Sequence, residues 1–454
     1  MSEDGNKDYY GIAAVWLDAQ DITVWSKVTL KTKKGTFKGI LLPRGGQGDD
    51  KHLTIKLSNG YNIAINLDDI IEIKKTGQAK SEYKIPEKKF RRNPNKPTVV
   101  LLGTGGTVAS RLDYNTGAVI PAFSTQELYN AFPELRDYCN LETKSVMQKF
   151  SENIEPADWI KIANEIMSII ENNDPVGIVI AHGTDTLHYT AAALSFILKN
   201  LDRPIILVGS QRSSDRPSSD TAINLLGSVN AAVNVDIAEV MVCMHATSSD
   251  TAVFLHRGTR VRKMHTSRRD AFKTIAAKPL ARIDGKKIAY LQKNYQRRGQ
   301  AKGAITADAK FEPKVALVYF HPGLEPEIID FYVNKNYRGI VFAGTGLGHT
   351  SQRVINRLEV AIDNNIPIFM TSQCLWGHTN LAVYETGRNL LKKGVIPLGN
   401  MLPEVALVKA MWVLGHTNEI PFVRELMQKN LAGEIIMQER VDDFVIRQMG
   451  LNEK

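Results

Sequence analysis

The chain has 454 residues, 43% of them apolar, with three cysteines and a formal charge of +9. That length predicts two to four domains with ordinary cores, and no apolar run reaches the roughly 18 residues of a membrane helix. The opening Met1-Ser2-Glu3-Asp4-Gly5 lacks the basic and apolar stretches of a secretory signal. Cys139, Cys243 and Cys374 are too scattered for a disulfide framework or a zinc site, so the expectation is a cytoplasmic protein with no metal site.

Residues 1–20 are weakly patterned, and residues 21–73 read as a small all-β module. Lys27-Val28-Thr29-Leu30-Lys31 alternates, Lys33-Lys34-Gly35 turns, and Thr36 to Leu42 runs on. After a glycine-rich loop over 43–50, Leu53 to Leu57 and Tyr61 to Leu67 flank Asn59-Gly60, a strong hairpin signal. Ile70-Ile71-Glu72-Ile73 closes a small SH3-like or Sm-like barrel, expected over 1–73. Residues 74–97 carry nine basic and two acidic side chains with Pro86, Pro94 and Pro97. They read as a solvated basic linker, and counterion release gives such a run affinity for phosphates as well.

From residue 98 the pattern changes to alternating strands and helices. Buried-strand runs fall near 98–103, 176–181, 204–209, 238–243, 315–320, 338–343 and 366–371. Between them Trp159 to Ile170 has an apolar face at helical spacing. Residues 268–312 are polar and basic, which places a join between a larger α/β domain (98–300) and a smaller one (313–454).

Two strand ends carry the chemistry. Val99 to Leu102 breaks into Gly103-Thr104-Gly105-Gly106-Thr107, and Gly177 to Ile180 into Ala181-His182-Gly183-Thr184-Asp185-Thr186. A β-branched run closed by glycine reads as a buried parallel strand feeding a tight turn, and open α/β sheets bind ligands at that edge. The first turn lacks both the P-loop ending and the GxGxxG spacing, and fits a turn that exposes a nucleophile and free N–H groups. A threonine hydroxyl needs a base, and the base an orienting charge. Asp185 offers the charge, and Lys263, in the basic segment Arg257 to Thr266, is the candidate base. Neighbouring cations favour its neutral form. Gly344-Thr345-Gly346-Leu347-Gly348-His349 has the wrong spacing for nucleotide binding, and Cys374, Trp376 and His378 read as packing or interface residues.

Together these segments resemble the asparaginase/glutaminase family of amidohydrolases over residues 97–425. Val208-Gly209-Ser210-Gln211-Arg212 with Ser219-Asp220, and Asn380 to Arg388, match as well. The resemblance implies an asparaginase-like α/β body, a parallel sheet with flanking helices in two domains, beside the N-terminal barrel. It implies Thr107 as one nucleophile, with Gly106 beside it on the turn, and Thr184, Asp185 and Lys263 as a triad. Tyr114 looks like the tyrosine that polarises the first threonine. Ser151 and Glu152 fall where the family binds the substrate's α-carboxylate and α-amine; Glu152 departs from the usual Gln or Asn.

Ordinary asparaginases start near the first catalytic strand, whereas here about 95 residues precede it. That architecture, with Phe150-Ser151-Glu152-Asn153 and His256 to Arg260, resembles the glutaminase subunits of archaeal tRNA-dependent amidotransferases. The resemblance implies glutamine hydrolysis with ammonia passed to a tRNA-binding partner subunit. That partner uses ATP and Mg2+ to activate Glu-tRNA(Gln), so this chain needs no cofactor of its own. A homodimer core within a hetero-oligomer is implied, and no membrane. A stand-alone L-asparaginase would keep the same triad without a partner. A non-enzymatic scaffold would have lost one of Thr107, Thr184, Asp185 or Lys263, and all are present.

Overall fold

The computed structural model describes residues 9–43, 49–58, 62–79, 92–105, 110–112, 119–121, 128–129, 131–212 and 218–439. The chain divides into two compact units. One holds residues 1–92, 107–133 and 210–222, and the other 93–106, 134–209 and 223–454.

In the first unit a helix, Gly11–Ala19, precedes five strands: β1 (Ser26–Thr32), β2 (Gly35–Leu41), β3 (His52–Leu57), β4 (Asn62–Asn66) and β5 (Ile70–Gln78). The helix lies in the segment whose sequence is weakly patterned. The strands form an antiparallel sheet in the order β4-β3-β2-β1-β5. Alternation decides which side is buried: Val28 and Leu30 of β1 point inward while Lys27 and Lys31 face solvent. Val28 and Leu30 pack with Ala13, Leu17, Leu41, Leu53 and Ile55 in a core of their own. β3 and β4 pair as the hairpin expected around Asn59-Gly60, although that turn lies outside the described residues. The basic linker starts later than its composition suggests. Lys74 and Lys75 belong to β5, opposite Thr29 and Val28, and both stay exposed because β5 is an edge strand that leaves room for charged side chains. Residues 80–91 of that linker lie outside the described residues. A short antiparallel pair, β7 (Ser110–Leu112) and β8 (Val119–Pro121), belongs to the same unit.

The second unit is built on an eight-stranded sheet. Five strands are parallel: β6 (Thr98–Gly103), β9 (Asn140–Ser145), β10 (Gly177–Ala181), β12 (Ile205–Val208) and β13 (Val240–His245). Antiparallel β14 (Val253–Arg257), β17 (Ala281–Asp284) and β18 (Lys287–Tyr290) extend one side, giving the order β18-β17-β14-β13-β12-β10-β6-β9. β10, β12 and β13 are buried along their whole length, which is why they read as continuous apolar runs. The helix Pro156–Asn173 starts at a proline behind a Glu155/Asp158 capping box and ends at left-handed Asp174. Its face Ile162, Ala163, Ile166 and Ile169 is buried against the sheet.

A second, four-stranded parallel sheet joins β20 (Val315–Tyr319), β21 (Gly339–Gly344), β22 (Ile368–Ser372) and β23 (Ile396–Pro397) in that order. The two sheets share a core. Helix Pro403–Leu414, buried at almost every position, packs on helix Leu187–Ile197 and places Trp412 against Phe196. Two short ladders lie apart from the main sheets: β11 (Leu198–Lys199) with β19 (Thr306–Ala307), and β15 (Val261–Lys263) with β16 (Phe272–Thr274).

Candidate active site

The site grows from the carboxyl ends of β6 and β10, paired in parallel with Ala181 opposite Gly103. Beyond that pair the Thr104 N–H and hydroxyl both donate to the Ala181 carbonyl at 3.0 Å. Gly105 then turns at φ +115°, where a Cβ would stand 2.2 Å from the Lys149 carbonyl oxygen, so only glycine fits. Gly106, Thr107 and Tyr114 lie outside the described residues.

The second turn is held from beneath by a buried polar chain. Trp159 Nε1 donates to Thr190 Oγ1 (3.2 Å), which leaves the Thr190 hydroxyl to donate to His182 Nε2 (2.9 Å). Nδ1 therefore carries the proton and donates to the Gly183 carbonyl (2.7 Å). Burial pushes the His182 ring down to about 4, so it is neutral and serves as scaffold. Close packing fixes the rest of the turn. A Cβ on Gly183 would lie 2.8 Å from Ser151 Cβ, and one on Gly209 would lie 2.7 Å from Thr184 Cγ2. The Thr186 hydroxyl donates to the Ser151 carbonyl at 2.6 Å.

Lys263, the last residue of β15, meets this turn. Its Nζ lies 2.9 Å from Thr184 Oγ1 and 2.7 Å from Asp185 Oδ1. Thr184 is buried and Asp185 exposed, so the ion pair faces solvent while the hydroxyl does not. Arg260 and Arg262, just before Lys263, are already engaged. Arg260, 1% exposed, donates to the carbonyls of Ile275, Asn400 and Glu434. Arg262 Nη1 reaches Glu404 Oε2 at 3.2 Å, in the first turn of helix Pro403–Leu414. Burial raises the Glu404 carboxyl against the pull of Arg262, and Glu404 Oε1 has no partner among the described residues. His188 packs behind the turn. Its ring is driven down to about 3 by burial and then by the Arg262 and Lys263 charges, and its Nδ1 is likewise unpartnered among the described residues.

Thr184 and Asp185 thus both lie within hydrogen-bond reach of Lys263. Ser151 is buried in a short 3-10 turn over Ser151–Asn153 against Gly183, and Glu152 beside it is exposed. Nearby, Lys149 pairs with Asp158 at 2.7 Å. Burial works to raise that carboxyl, but Lys149 and the Glu155 N–H outweigh it and hold it below its usual range. The Asp220 carboxylate accepts from Ser210 Oγ, Gln211 N and Arg212 N, which makes the Val208 to Arg212 match a structural turn. The Gly344 to His349 turn is spent on itself. Thr345 and His349 exchange N–H···O bonds and Gly348 N–H donates to Thr345, so these amides do not cradle a phosphate. His378 bonds the Ile436 carbonyl at 2.7 Å, a packing role. Sequence reading missed Gly209 as the wall behind Thr184, and missed His188, Arg260, Arg262 and Glu404. Glu404 lies 142 positions from Arg262 and carries no local motif. Among the described residues no three His, Cys, Asp or Glu side chains cluster as metal ligands, and no helix is long and apolar enough to cross a membrane.

Three family models match the chain: "Asparaginase, N-terminal" over residues 98–296, "Glutaminase/Asparaginase C-terminal domain" over 314–427 and "GatD N-terminal domain" over 22–75. The D subunit of the glutamyl-tRNA(Gln) amidotransferase of Methanopyrus kandleri is 46% identical over 436 residues, covering 94% of this chain and 95% of that protein. Its counterpart from Thermococcus kodakarensis is 51% identical over 416 residues, 90% of this chain and 93% of its own length. Among solved structures, the thermostable L-asparaginase from Thermococcus kodakarensis superposes with a TM-score of 0.68 at 33% identity, covering 75% of this chain and all of that one. L-asparaginase I from Vibrio cholerae gives 0.66 at 28% identity, covering 75% of this chain and all of that one.

Proposed function

We propose, for a chain that belongs to the asparaginase-type D-subunit family of glutamyl-tRNA(Gln) amidotransferases, that Thr184, Asp185 and Lys263 hydrolyse glutamine to supply ammonia. The observation that carries this reading is the Lys263 amine, within hydrogen-bond reach of both the Thr184 hydroxyl and the Asp185 carboxylate.

A carboxamide is a weak electrophile, so the attacking oxygen must be stripped of its proton. Lys263 takes the Thr184 proton, and Asp185 stabilises the ammonium that forms. Thr184, and Thr107 on the first turn with Tyr114 polarising it, supply the nucleophilic oxygens. The oxyanion is met by N–H groups of the glycine turn that includes Gly106. The C–N bond breaks, ammonia leaves with the proton held by the lysine, and water clears the acyl-enzyme to glutamate. Ser151 and Glu152 bind the α-carboxylate and α-amine of the substrate. Glu152 is exposed, as a group that meets an incoming ammonium must be.

In this reading the ammonia passes to a tRNA-binding E subunit that activates Glu-tRNA(Gln) with ATP and Mg2+, yielding Gln-tRNA(Gln). This chain holds no cofactor of its own. It forms the homodimeric core of a cytoplasmic heterotetramer, and the N-terminal sheet with its basic linker assists assembly or tRNA docking. The test compares glutamine and asparagine turnover with and without a co-purifying partner and Glu-tRNA(Gln). Glutamine hydrolysis coupled to Gln-tRNA(Gln) formation supports the proposal. Fast asparagine hydrolysis with no partner bound would make the chain a stand-alone asparaginase.

A further inference from the structure

β15, the strand that ends in Lys263, belongs to neither main sheet, so no long ladder fixes where the lysine stands. Besides its short pairing with β16, in which Lys263 lies opposite Phe272, it is held by side chains of the residues just before it. The Thr259 hydroxyl donates to the Ala432 carbonyl at 2.8 Å. Arg260 Nη1 donates to the Asn400 carbonyl at 2.9 Å and the Glu434 carbonyl at 3.1 Å. Both residues thus hang from one loop over 430–436.

That loop is shaped by a single carboxylate. Glu434 is fully buried and accepts from Leu431 N (3.0 Å) and Ala432 N (2.7 Å). Its charge is met by Lys409 Nζ at 2.5 Å, also fully buried, which donates to the Met427 and Lys429 carbonyls as well. Burying two full charges and a guanidinium is a poor way to gain stability, because desolvation offsets most of the attraction. What the array does supply is a unique loop geometry, with the Ala432 and Glu434 carbonyls presented to Thr259 and Arg260.

We infer that Glu434, with Lys409 and Arg260, is a positioning element that sets where the Lys263 amine stands relative to Thr184. The inference rests on Lys263 being the base of the proposed reaction. It requires the loop shape, not the ionic charge, to matter for turnover.

Three variants of the full chain, each in its native assembly, separate these terms. Lys409→Met leaves a buried, unpaired carboxylate and loses both thermal stability and activity. Lys409→Met with Glu434→Gln keeps an oxygen facing Leu431 and Ala432, and recovers both. Lys409→Met with Glu434→Met recovers stability by replacing the pair with apolar volume, but the loop N–H groups lose their acceptor. For that variant kcat on glutamine falls at least tenfold, KM stays within twofold, and the pH profile of kcat shifts. Wild-type kcat and pH profile in this Met/Met variant would overturn the inference. Should it fail to fold, Thr259→Val decides, since it removes one loop contact with no buried charge. A kcat loss of threefold or more is expected, and unchanged kcat would overturn the inference. Lys263→Ala is the control for the underlying reading. If it retains turnover, the proposed base is wrong; if it is inactive while the Met/Met variant is fully active, only the positioning role fails.

Discussion

Lys263 Nζ stands 2.9 Å from Thr184 Oγ1, although 79 positions separate the two residues. One sits on a turn at the end of a central parallel strand, and the other ends a short ribbon that leaves the sheet. Bringing them together depends on close packing behind the hydroxyl and on cations tied off around the amine.

The packing term is tested at Gly209. A methyl group there would press on Thr184 Cγ2, at 2.7 Å, and turn or push the hydroxyl away from Lys263. Gly209→Ala is expected to lower kcat by about tenfold or more, since small displacements of reacting groups cost heavily. Steady-state ammonia release alongside circular dichroism checks this; an active, well-folded variant would show that the wall has slack.

The tied-off cations make a second prediction. Glu404 is 1% exposed and its cation partner is Arg262. Arg262→Leu leaves that carboxylate buried and uncompensated, at a cost of about 3 kcal/mol. Adding Glu404→Leu removes the stranded charge and is expected to restore most of the loss. Thermal midpoints of the single and double variants decide the matter, and equal midpoints would mean the pair is energetically idle.

Acid sensitivity follows from the two buried histidines. Burial holds His182 at about 4 and His188 at about 3, both below the ordinary 6.5. The unfolded chain therefore takes up these protons first. Their contribution is complete above pH 6.5 and is lost as pH falls from 6.5 toward those folded values. At about 1.4 kcal/mol per unit, His182 alone accounts for about 3 kcal/mol across that window. Thermal midpoints measured from pH 7.5 to pH 4.5 are expected to fall steeply below pH 6.5, with a flatter curve for His182→Asn.

Deleting residues 1–90 is expected to leave the α/β body folded. Among the described residues, Leu17, Val28, Leu30, Leu53 and Ile55 form a core cluster of their own. Coupled formation of Gln-tRNA(Gln) is expected to fall while the circular dichroism of the body persists. Full coupled activity after truncation would make the N-terminal sheet dispensable.

Much of this was legible in the chain because its signals are local. Buried parallel strands such as Ile178 to Ala181 are continuous apolar runs, and the glycine-threonine turns follow them at once. Lys263 came within reach of Thr184 through the family resemblance, since no periodicity links residues so far apart. The helix Gly11–Ala19 was missed because it is apolar on nearly every side, with Tyr10, Ile12 and Val15 exposed nearby. Glu404 and Glu434 were missed for another reason. Each acts on the lysine strand from more than 140 positions away, through a carboxylate or carbonyl that only the folded chain brings there.

The most direct measurement is glutamine hydrolysis by Lys263→Leu and Thr184→Val beside the unaltered protein, with circular dichroism on each. Ammonia release is expected to fall at least a hundredfold in both variants while their spectra match the parent. Turnover near the parent rate in either variant would mean that this amine and this hydroxyl, close as they stand, do not perform the chemistry.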